Sequence, residues 1–431
     1  MSLFLLFAMM LAFMALGMGI GIAMIASSLV YLLINLSGSM SLPLAVIPQK
    51  LMYGVDSFPL LAVPLFMLAG ELMSAGGIMT RIIRFASALV GWITGGLAHV
   101  NIVVNMIMAG MSGSAVADAA ATGSILIPAM VKARFPPSFA AAVTAAAATI
   151  GPVIPPSIPF VLIGTIAQIS IGRLFLGGAI PGIIMGLFLM AAVYWVAKRK
   201  KYAVETRVPF REIMVRFWHS VPALVMPVII MGGILSGIAT PTEAAVLGVA
   251  SALLLSVVLY RELSLPDVYR ICVRMGSSTA AIMLTIAGAT LFGFVATAEQ
   301  MGPKMIQFFL SLSENYYILL AILNVALLIL GCVMEPVPII LLTVSIFFPA
   351  LTKVGMDPIH LGVVMTLNLM IGMITPPVGL NLFITSAISG VPIMKVARDS
   401  SIFMIALIAV LLLISYVPEL VLWLPNTVMG K

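Results

Sequence analysis

Apolar runs of about 15–25 residues follow one another almost without interruption along this chain of 431 residues. A helix needs roughly 20 such residues to cross the hydrocarbon of a bilayer. Lipid offers no hydrogen bonds, so spanning backbone must satisfy its own donors and acceptors, as a helix does. The runs therefore predict an all-α polytopic membrane protein. Composition agrees: 62% of the residues are hydrophobic and 8% are charged, against about a quarter charged in soluble domains. No soluble core of this length could hide so much apolar surface.

Full or partial spans are predicted near 3–18, 20–36, 58–76, 98–131, 138–168, 176–197, 219–238, 241–260, 278–297, 315–351, 359–388 and 400–420. The amphipathic pieces 42–55 and 262–277 are expected to lie at the interface. The N-terminus lacks the basic region of a cleavable signal and is expected to stay as a first membrane helix. The net charge of +7 comes from basic residues in short gaps between apolar runs, which excludes a nucleic-acid patch as the reason for it. Cys272 and Cys332 stand apart, with neither a disulfide framework nor a metal site implied.

Lysine and arginine set the orientation. The strongest mark is Lys198–Lys201, followed by Arg207, Arg211 and Arg216, and this loop is placed in the cytoplasm. If 98–131 and 315–351 are re-entrant hairpins, Arg81, Arg84, Lys132, Arg134, Arg261, Arg270, Arg274, Lys395 and Arg398 fall on the same side. Sixteen of the 21 basic residues are then inside. Treating either stretch as a single span would move later basic loops to the wrong face.

The chain also repeats itself. Shifted by 221 residues, 110–157 aligns without a gap onto 331–378, with fourteen identities in forty-eight positions. Gly110 meets Gly331, Thr122 meets Thr343, Pro128 meets Pro349, Lys132 meets Lys353, Gly151 meets Gly372, and Pro155-Pro156 meets Pro376-Pro377. The charge-based topology puts Lys132 inside and Lys353 outside, so the copies are expected to be inverted. Inverted repeats with broken helices are the architecture of secondary transporters, which bind their cargo near the midplane. The expected organisation is a first repeat over 1–200, a cytoplasmic basic linker over 201–218 and a second repeat over 219–431. Each repeat holds a hairpin (98–131, 315–351) and a proline-broken helix (138–168, 359–388).

The breaks read GPVIPPS at 151–157 and MITPPVG at 373–379. Two consecutive prolines beside glycine remove donors and unwind the helix. Unwound backbone at membrane depth must be buried in protein or line a wet cavity. Its free carbonyls suit a small alkali cation, and the N-terminus of the following half-helix suits an anion. The hairpin tips are expected at Gly110–Ser114, with Ser112 and Ser114, and at Gly331–Pro336, with Glu335. Asn381 and Thr385 share a helix face. Asp118 is the one acid in the first hairpin, readable either as a coupling carboxylate or as a buried cap. Gly110-Met111-Ser112-Gly113 also fits the GxSG pattern of rhomboid-type intramembrane proteases, but serine chemistry needs an activating histidine. His99, His219 and His360 are all poorly placed for that role.

GMSGSAVADAAATGSILIP, TIGPVIPPSIPFVLIG, MITPPVGLNLFITSAISG and DSFPLLAVPLFMLAGELM, in their positions along the chain, resemble the large membrane subunit of tripartite ATP-independent periplasmic (TRAP) transporters. The resemblance implies an elevator fold of the ion-transporter superfamily in the bacterial inner membrane, importing an organic acid with Na⁺. It implies two partners, a small four-helix membrane subunit, expected here as a separate chain, and a periplasmic substrate-binding protein. Two or more Na⁺ sites are implied. One would use Ser112, Gly151, Ile154 and Pro156, and its counterpart Gly331, Gly372, Thr375 and Pro377. The carboxylate would lie between the tips near Ser114, Ser157 and Asn381, with Asp118 and Thr385 as further candidates. No organic cofactor is expected. The competing reading is a Na⁺/dicarboxylate symporter of the same wider fold that works without a binding protein. A C4-dicarboxylate, a sugar acid, a sialic acid and a keto acid all fit the residues.

Overall fold

The computed structural model describes residues 3–34, 45–200, 202, 207–301, 304, 307, 311 and 315–430. They form helices and no strand among the described residues. The first half holds α1 (Leu3–Ala15), α2 (Ile20–Ile34), α3 (Val46–Val55), α4 (Ala62–Ala75), α5 (Ile78–Val90), α6 (Gly96–Ser112), α7 (Ala115–Lys132), α8 (Pro137–Ala148), α9 (Ile158–Ala167) and α10 (Ile171–Lys200). The second holds α11 (Phe210–Leu235), α12 (Pro241–Leu253), α13 (Leu265–Ala298), α14 (Tyr316–Gly331), α15 (Pro336–Lys353), α16 (Pro358–Gly372), α17 (Leu380–Ser389), α18 (Ile393–Tyr416) and α19 (Glu419–Met429). Eight helical stretches among the described residues are long and apolar enough to cross a membrane.

Both hairpins and both breaks are present. The 221-residue spacing fixes element boundaries as well as identities: α7 and α15 start at Ala115 and Pro336 and end at Lys132 and Lys353, and α8 and α16 start at Pro137 and Pro358. The Pro155-Pro156 and Pro376-Pro377 peptides are both cis. Each second half-helix crosses to the other copy, α9 packing on α15 and α17 on α7 and α8.

The ends of both hairpins pack against long helices. Gly95, before α6, abuts Ala197 of α10, and Phe135, after α7, lies 4.7 Å from Tyr202 in ring contact. The first hairpin therefore leaves and returns at one end of α10. Phe139 joins the Tyr202 ring to Phe403, near the middle of α18. The second hairpin is anchored at the far end of α18. Tyr316 bonds His360 Nδ1 at 3.1 Å, His360 Nε2 reaches Ile414 O at 2.9 Å, and Tyr317 touches the Tyr416 ring.

Around this core, α2 and α3 lie along α13, and α12 lies on α4. The centre is occupied by α8 and α16. From Ser138 to Ala148 and from Ile359 to Gly372 every side chain is buried. Alanines throughout α8 permit that depth, because small side chains let neighbouring backbones approach closely without a void. Polar groups at this depth pair with one another. Asn101 donates to Thr144 at 2.7 Å, tying α6 to α8. Asn368 donates to Asn324 Oδ1 at 3.0 Å, and Asn324 donates to Ser415 at 3.0 Å, tying α14, α16 and α18 together.

Several expectations are corrected. Residues 262–277 are no separate interfacial helix; from Leu265 they are the opening turns of α13, which runs 34 residues without a break. Gly276 is the one candidate breaker there, and a single glycine costs a helix only about 1 kcal/mol. Of 42–55, residues 42–44 lie outside the described residues, and α3 packs along α13. Phe210–Trp218, assigned to the linker, are the first turns of α11; residues 201 and 203–206 lie outside the described residues. α10 begins at Ile171 rather than near 176. The sequence reading missed α5 and α19, whose basic or polar residues look like loops until one face is seen to be buried.

Four of the basic residues placed on one side by the charge count lie close together. Arg81 pairs with Glu262 at 2.8 Å, Arg274 with Glu71 at 2.9 Å, and Arg216 donates to Arg84 O at 3.2 Å.

The Asn324–Asn368 pair gives a stability test. Asn324→Leu removes the side-chain acceptor of the Asn368 amide, leaving it the main-chain oxygen of residue 324, and takes the donor from Ser415; it should lower stability by about 1 kcal/mol. The Asn324→Leu/Asn368→Leu double variant should recover part of the loss, because no buried amide is then left unpaired. Thermal unfolding in detergent measures both, and an unchanged midpoint for the single variant would contradict the pairing.

Candidate functional site

The first hairpin turns at Gly113 and Ser114. Gly113 takes φ +61°, in the left-handed region, and a β-carbon there would lie 2.7 Å from Pro156 O and 3.2 Å from Ile158 N. Only glycine meets both demands, a positive φ and direct backbone contact with the break. Ser114 caps α7, its hydroxyl accepting from Ala117 N at 3.4 Å. The tip therefore sits against the first break, as the sequence implied.

Ser112 donates to Asp118 Oδ1 at 2.6 Å. The second oxygen of that carboxylate is buried with no hydrogen-bond partner among the described residues, and it lies in close contact with the α-carbon of Gly151. Asp118 thus joins the tip to the break. It does not cap a helix end, since Ser114 takes that role. No histidine touches Ser112 among its described bonds: His99 is held by Thr94 O at 3.1 Å and His219 by Val215 O at 2.7 Å. The arrangement cannot activate Ser112 as a nucleophile.

In the break itself, Ser157 caps α9, accepting from Phe160 N at 3.2 Å and donating to Pro152 O. No donor among the described residues reaches the carbonyls of Gly151, Ile154 or Pro156. These are hard oxygen acceptors held inside protein. A monovalent cation fits such a set, and the unpaired Asp118 oxygen adds a negative charge beside it.

The second tip and break meet differently. Gly331 and Gly372 touch backbone to backbone, a β-carbon on Gly372 falling 2.6 Å from the Gly331 α-carbon, and Val378 N bonds Cys332 O at 3.2 Å. Thr375 donates to Ile371 O at 2.8 Å and is half-buried, while Pro376 and Pro377 are exposed. Ile339 stands 221 residues beyond Asp118, so this side has no carboxylate at that place.

Between the tips lies a cavity of about 330 Å³, large enough for a small organic molecule. Gly113, Ser114, Ala115 and Val116 form one wall, Glu335, Pro336 and Val337 another, and Pro152, Ile158 and Pro159 a third. Met370 and Met373 lie beneath, with Ser278 and Ala281 of α13 opposite. Three helices, α7, α9 and α15, begin at this cavity. Each helix N-terminus carries roughly half a positive charge, although Pro159, Pro336 and Pro338 offer no N–H and those of Ala117 and Phe160 are taken by Ser114 and Ser157. No lysine or arginine lines the cavity, so these termini are its sources of positive potential. Glu335, at the N-cap of α15, is its one charged lining residue, and sequence reasoning named it at the tip without giving it a role.

Of the candidate substrate contacts, Ser114 alone lines the cavity. Ser157 is buried behind it. Asn381 donates to Ala145 O at 3.1 Å, with its Oδ1 buried and unpartnered, and Thr385 donates to Asn381 O at 2.9 Å. The helix-face argument correctly put Asn381 and Thr385 side by side. That face is turned toward α8 and away from the cavity.

Residues 7–420 match the family described as the tripartite ATP-independent periplasmic transporter, DctM component. The chain is 39% identical to the sialic acid TRAP transporter large permease SiaM of Vibrio cholerae, over 96% of each chain. It is 40% identical to the C4-dicarboxylate TRAP transporter large permease DctM of Pseudomonas aeruginosa, over 88% of each. The fold is similar to the crystal structure of the Alcanivorax borkumensis YdaH transporter, with a TM-score of 0.60 at 14% identity, covering 87% of this chain and 89% of that one.

The tip contact is open to test. Gly113→Ala combines a strained φ with a backbone clash, whereas Gly355→Ala, at φ +95° in open space, carries the strain alone. A left-handed φ costs a non-glycine residue about 1–2 kcal/mol. Gly113→Ala should therefore lower the unfolding midpoint clearly more than Gly355→Ala, and equal shifts would mean that the tip does not press on the break.

Proposed function

The chain belongs to the DctM family of TRAP transporter large permeases, integral proteins of the bacterial inner membrane and not enzymes, and from that membership we propose that it imports an organic acid by coupling to Na⁺. The observation that carries the reading is the cavity between the two hairpin tips, walled by three helix N-termini and free of lysine and arginine. A carboxylate there gains hydrogen bonds and dipole attraction without a fixed cation. Sialic acid and C4-dicarboxylate name the cargo of relatives. For this chain the proposal stops at the carboxylate.

Na⁺ is the second cargo. It supplies positive charge beside the anion, so that the two enter together more favourably than either alone. Gly151, Ile154, Pro156 and the Ser112–Asp118 pair are proposed to hold one ion. Gly331, Gly372, Thr375 and Pro377 are proposed to hold another, through backbone and one hydroxyl. Asp118 is read as part of the first ion site rather than as a direct contact of the substrate, because its free oxygen faces Gly151. Insertion of the two repeats in opposite senses is part of the proposal and rests on the charge-based topology. A core of hairpins and broken helices that slides against α2, α3, α4 and α13 would carry the cavity across the membrane as an elevator. The proposed partners are a small four-helix membrane subunit and a periplasmic binding protein that delivers the acid. Family membership favours this over a symporter that works without a binding protein.

Uptake by proteoliposomes holding the large and small subunits should require both an inward Na⁺ gradient and the cognate binding protein; uptake without the binding protein would favour the simpler symporter. Gly151→Leu, which pushes a side chain into the Asp118 carboxylate, should abolish Na⁺-dependent uptake while leaving membrane insertion intact. Asp118→Asn keeps the volume but removes the charge, and should raise the Na⁺ concentration for half-maximal uptake by about tenfold, equivalent to ~1.4 kcal/mol. An unchanged Na⁺ dependence in both variants would remove the first ion site from consideration.

A further inference from the structure

The basic face contains a second cavity, of about 770 Å³, that transport does not use. Thr80, Arg81 and Arg84 of α5, Arg216 and His219 of α11, and Glu262 line it. The two helices are clasped by side chains bonded to main chain, Ser220 to Arg81 O at 3.1 Å and Arg216 to Arg84 O at 3.2 Å. Glu262 pairs with Arg81 and Glu212 with Arg216. The Arg84 guanidinium has no acceptor among the described residues, so one positive charge is left unmatched within the cavity. His219 engages Val215 O through Nδ1, which leaves Nε2 without a described partner.

The depth of the cavity is fixed by the sequence of α11. Arg216 is the last charged residue of that helix, and the stretch from Ser220 to Leu235 carries none. That stretch is roughly 24 Å long at 1.5 Å per residue, comparable to a hydrocarbon core. The cavity therefore opens at the level where headgroups meet acyl chains. Trp218, 65% exposed, sits at the same level, where indole rings concentrate. Val225 and Ile229 are exposed on the same side of α11 as Trp218, which marks that side as the one facing lipid.

We propose that this cavity seats the phosphate of an anionic phospholipid, with Arg84 as the principal contact and Arg216 and Thr80 beside it. Charge complementarity selects an anionic headgroup, and the level of the cavity, at the end of the uncharged stretch of α11 and beside Trp218, selects a lipid over free phosphate. Basic pockets between helices on the cytoplasmic side are suited to such headgroups.

The test follows the unfolding midpoint of the full chain in detergent as phosphatidylglycerol, phosphatidylcholine or inorganic phosphate is added. Phosphatidylglycerol should raise the midpoint, and the other two should leave it unchanged. Arg84→Gln should lose at least half of the rise, while Arg270→Gln, an exposed basic residue of α13 outside the cavity, should keep it. Arg84 makes no described side-chain bond, so its variant should fold. If its lipid-free midpoint falls, lipid retained by the folded fraction, counted by native mass spectrometry, decides instead. Equal responses of wild type and Arg84→Gln, an equal response to phosphatidylcholine, or a rise with inorganic phosphate alone would each overturn the assignment. Loss of the wild-type response on adding the small membrane subunit would make the cavity a subunit contact and overturn it equally.

Discussion

Backbone that leaves the helix at membrane depth must find partners in protein or cargo, and the architecture of this chain is organised around the two places where it does so. At 151–157 and 373–379 paired prolines strip donors from the chain and leave carbonyls without helical partners. Each break is covered by the tip of a hairpin, through Gly113 on Pro156 and through Gly331 on Gly372. The hairpins must reach the protein centre to do this, which fixes their length and forces them to turn back. The half-helices that follow the breaks then pack on the opposite copy, joining the repeats into one body.

The two halves of this device are not equivalent. In the second, backbone meets backbone, and the break is partly open to its surroundings. In the first, a carboxylate stands between tip and break, one oxygen held by Ser112 and the other facing Gly151. Burying an unpaired carboxylate oxygen is unfavourable by several kcal/mol unless something compensates it. The Na⁺ proposed at the orphaned carbonyls of the same break would supply that compensation, so the first site is the one where removing a charge should be felt. The cavity between the tips, proposed for the carboxylate, would rely instead on helix N-termini, with no lysine or arginine in its lining.

Much of this was legible in the residues. Repeated glycine, proline and lysine positions located both hairpins and both breaks within a few residues, because these residue types are tied to backbone events. Gly113 and the paired prolines state their conformations directly. The basic residues sorted one face of the molecule from the other. Less legible were elements whose identity depends on what covers them. The helix α5 carries two arginines and reads as a loop until its apolar stripe is seen against α11. The 262–277 segment reads as interfacial because its polarity changes near 277, although nothing in its backbone stops the helix.

The sequence by itself determined that the chain lives in lipid, that it is helical, that it is doubled, and where the helix must break. Each of these follows from local chemistry: hydrogen-bond supply, proline geometry and the side-chain freedom of glycine. Only the tertiary structure decided what faces what. It turned Asn381 and Thr385 toward α8, buried Ser157 as a cap, aimed Asp118 at Gly151, and brought Glu335 to the wall of the cavity. A periodicity of 3.6 residues groups side chains on one helix face but does not say which neighbour that face meets. That choice depends on the packing of segments more than two hundred residues apart.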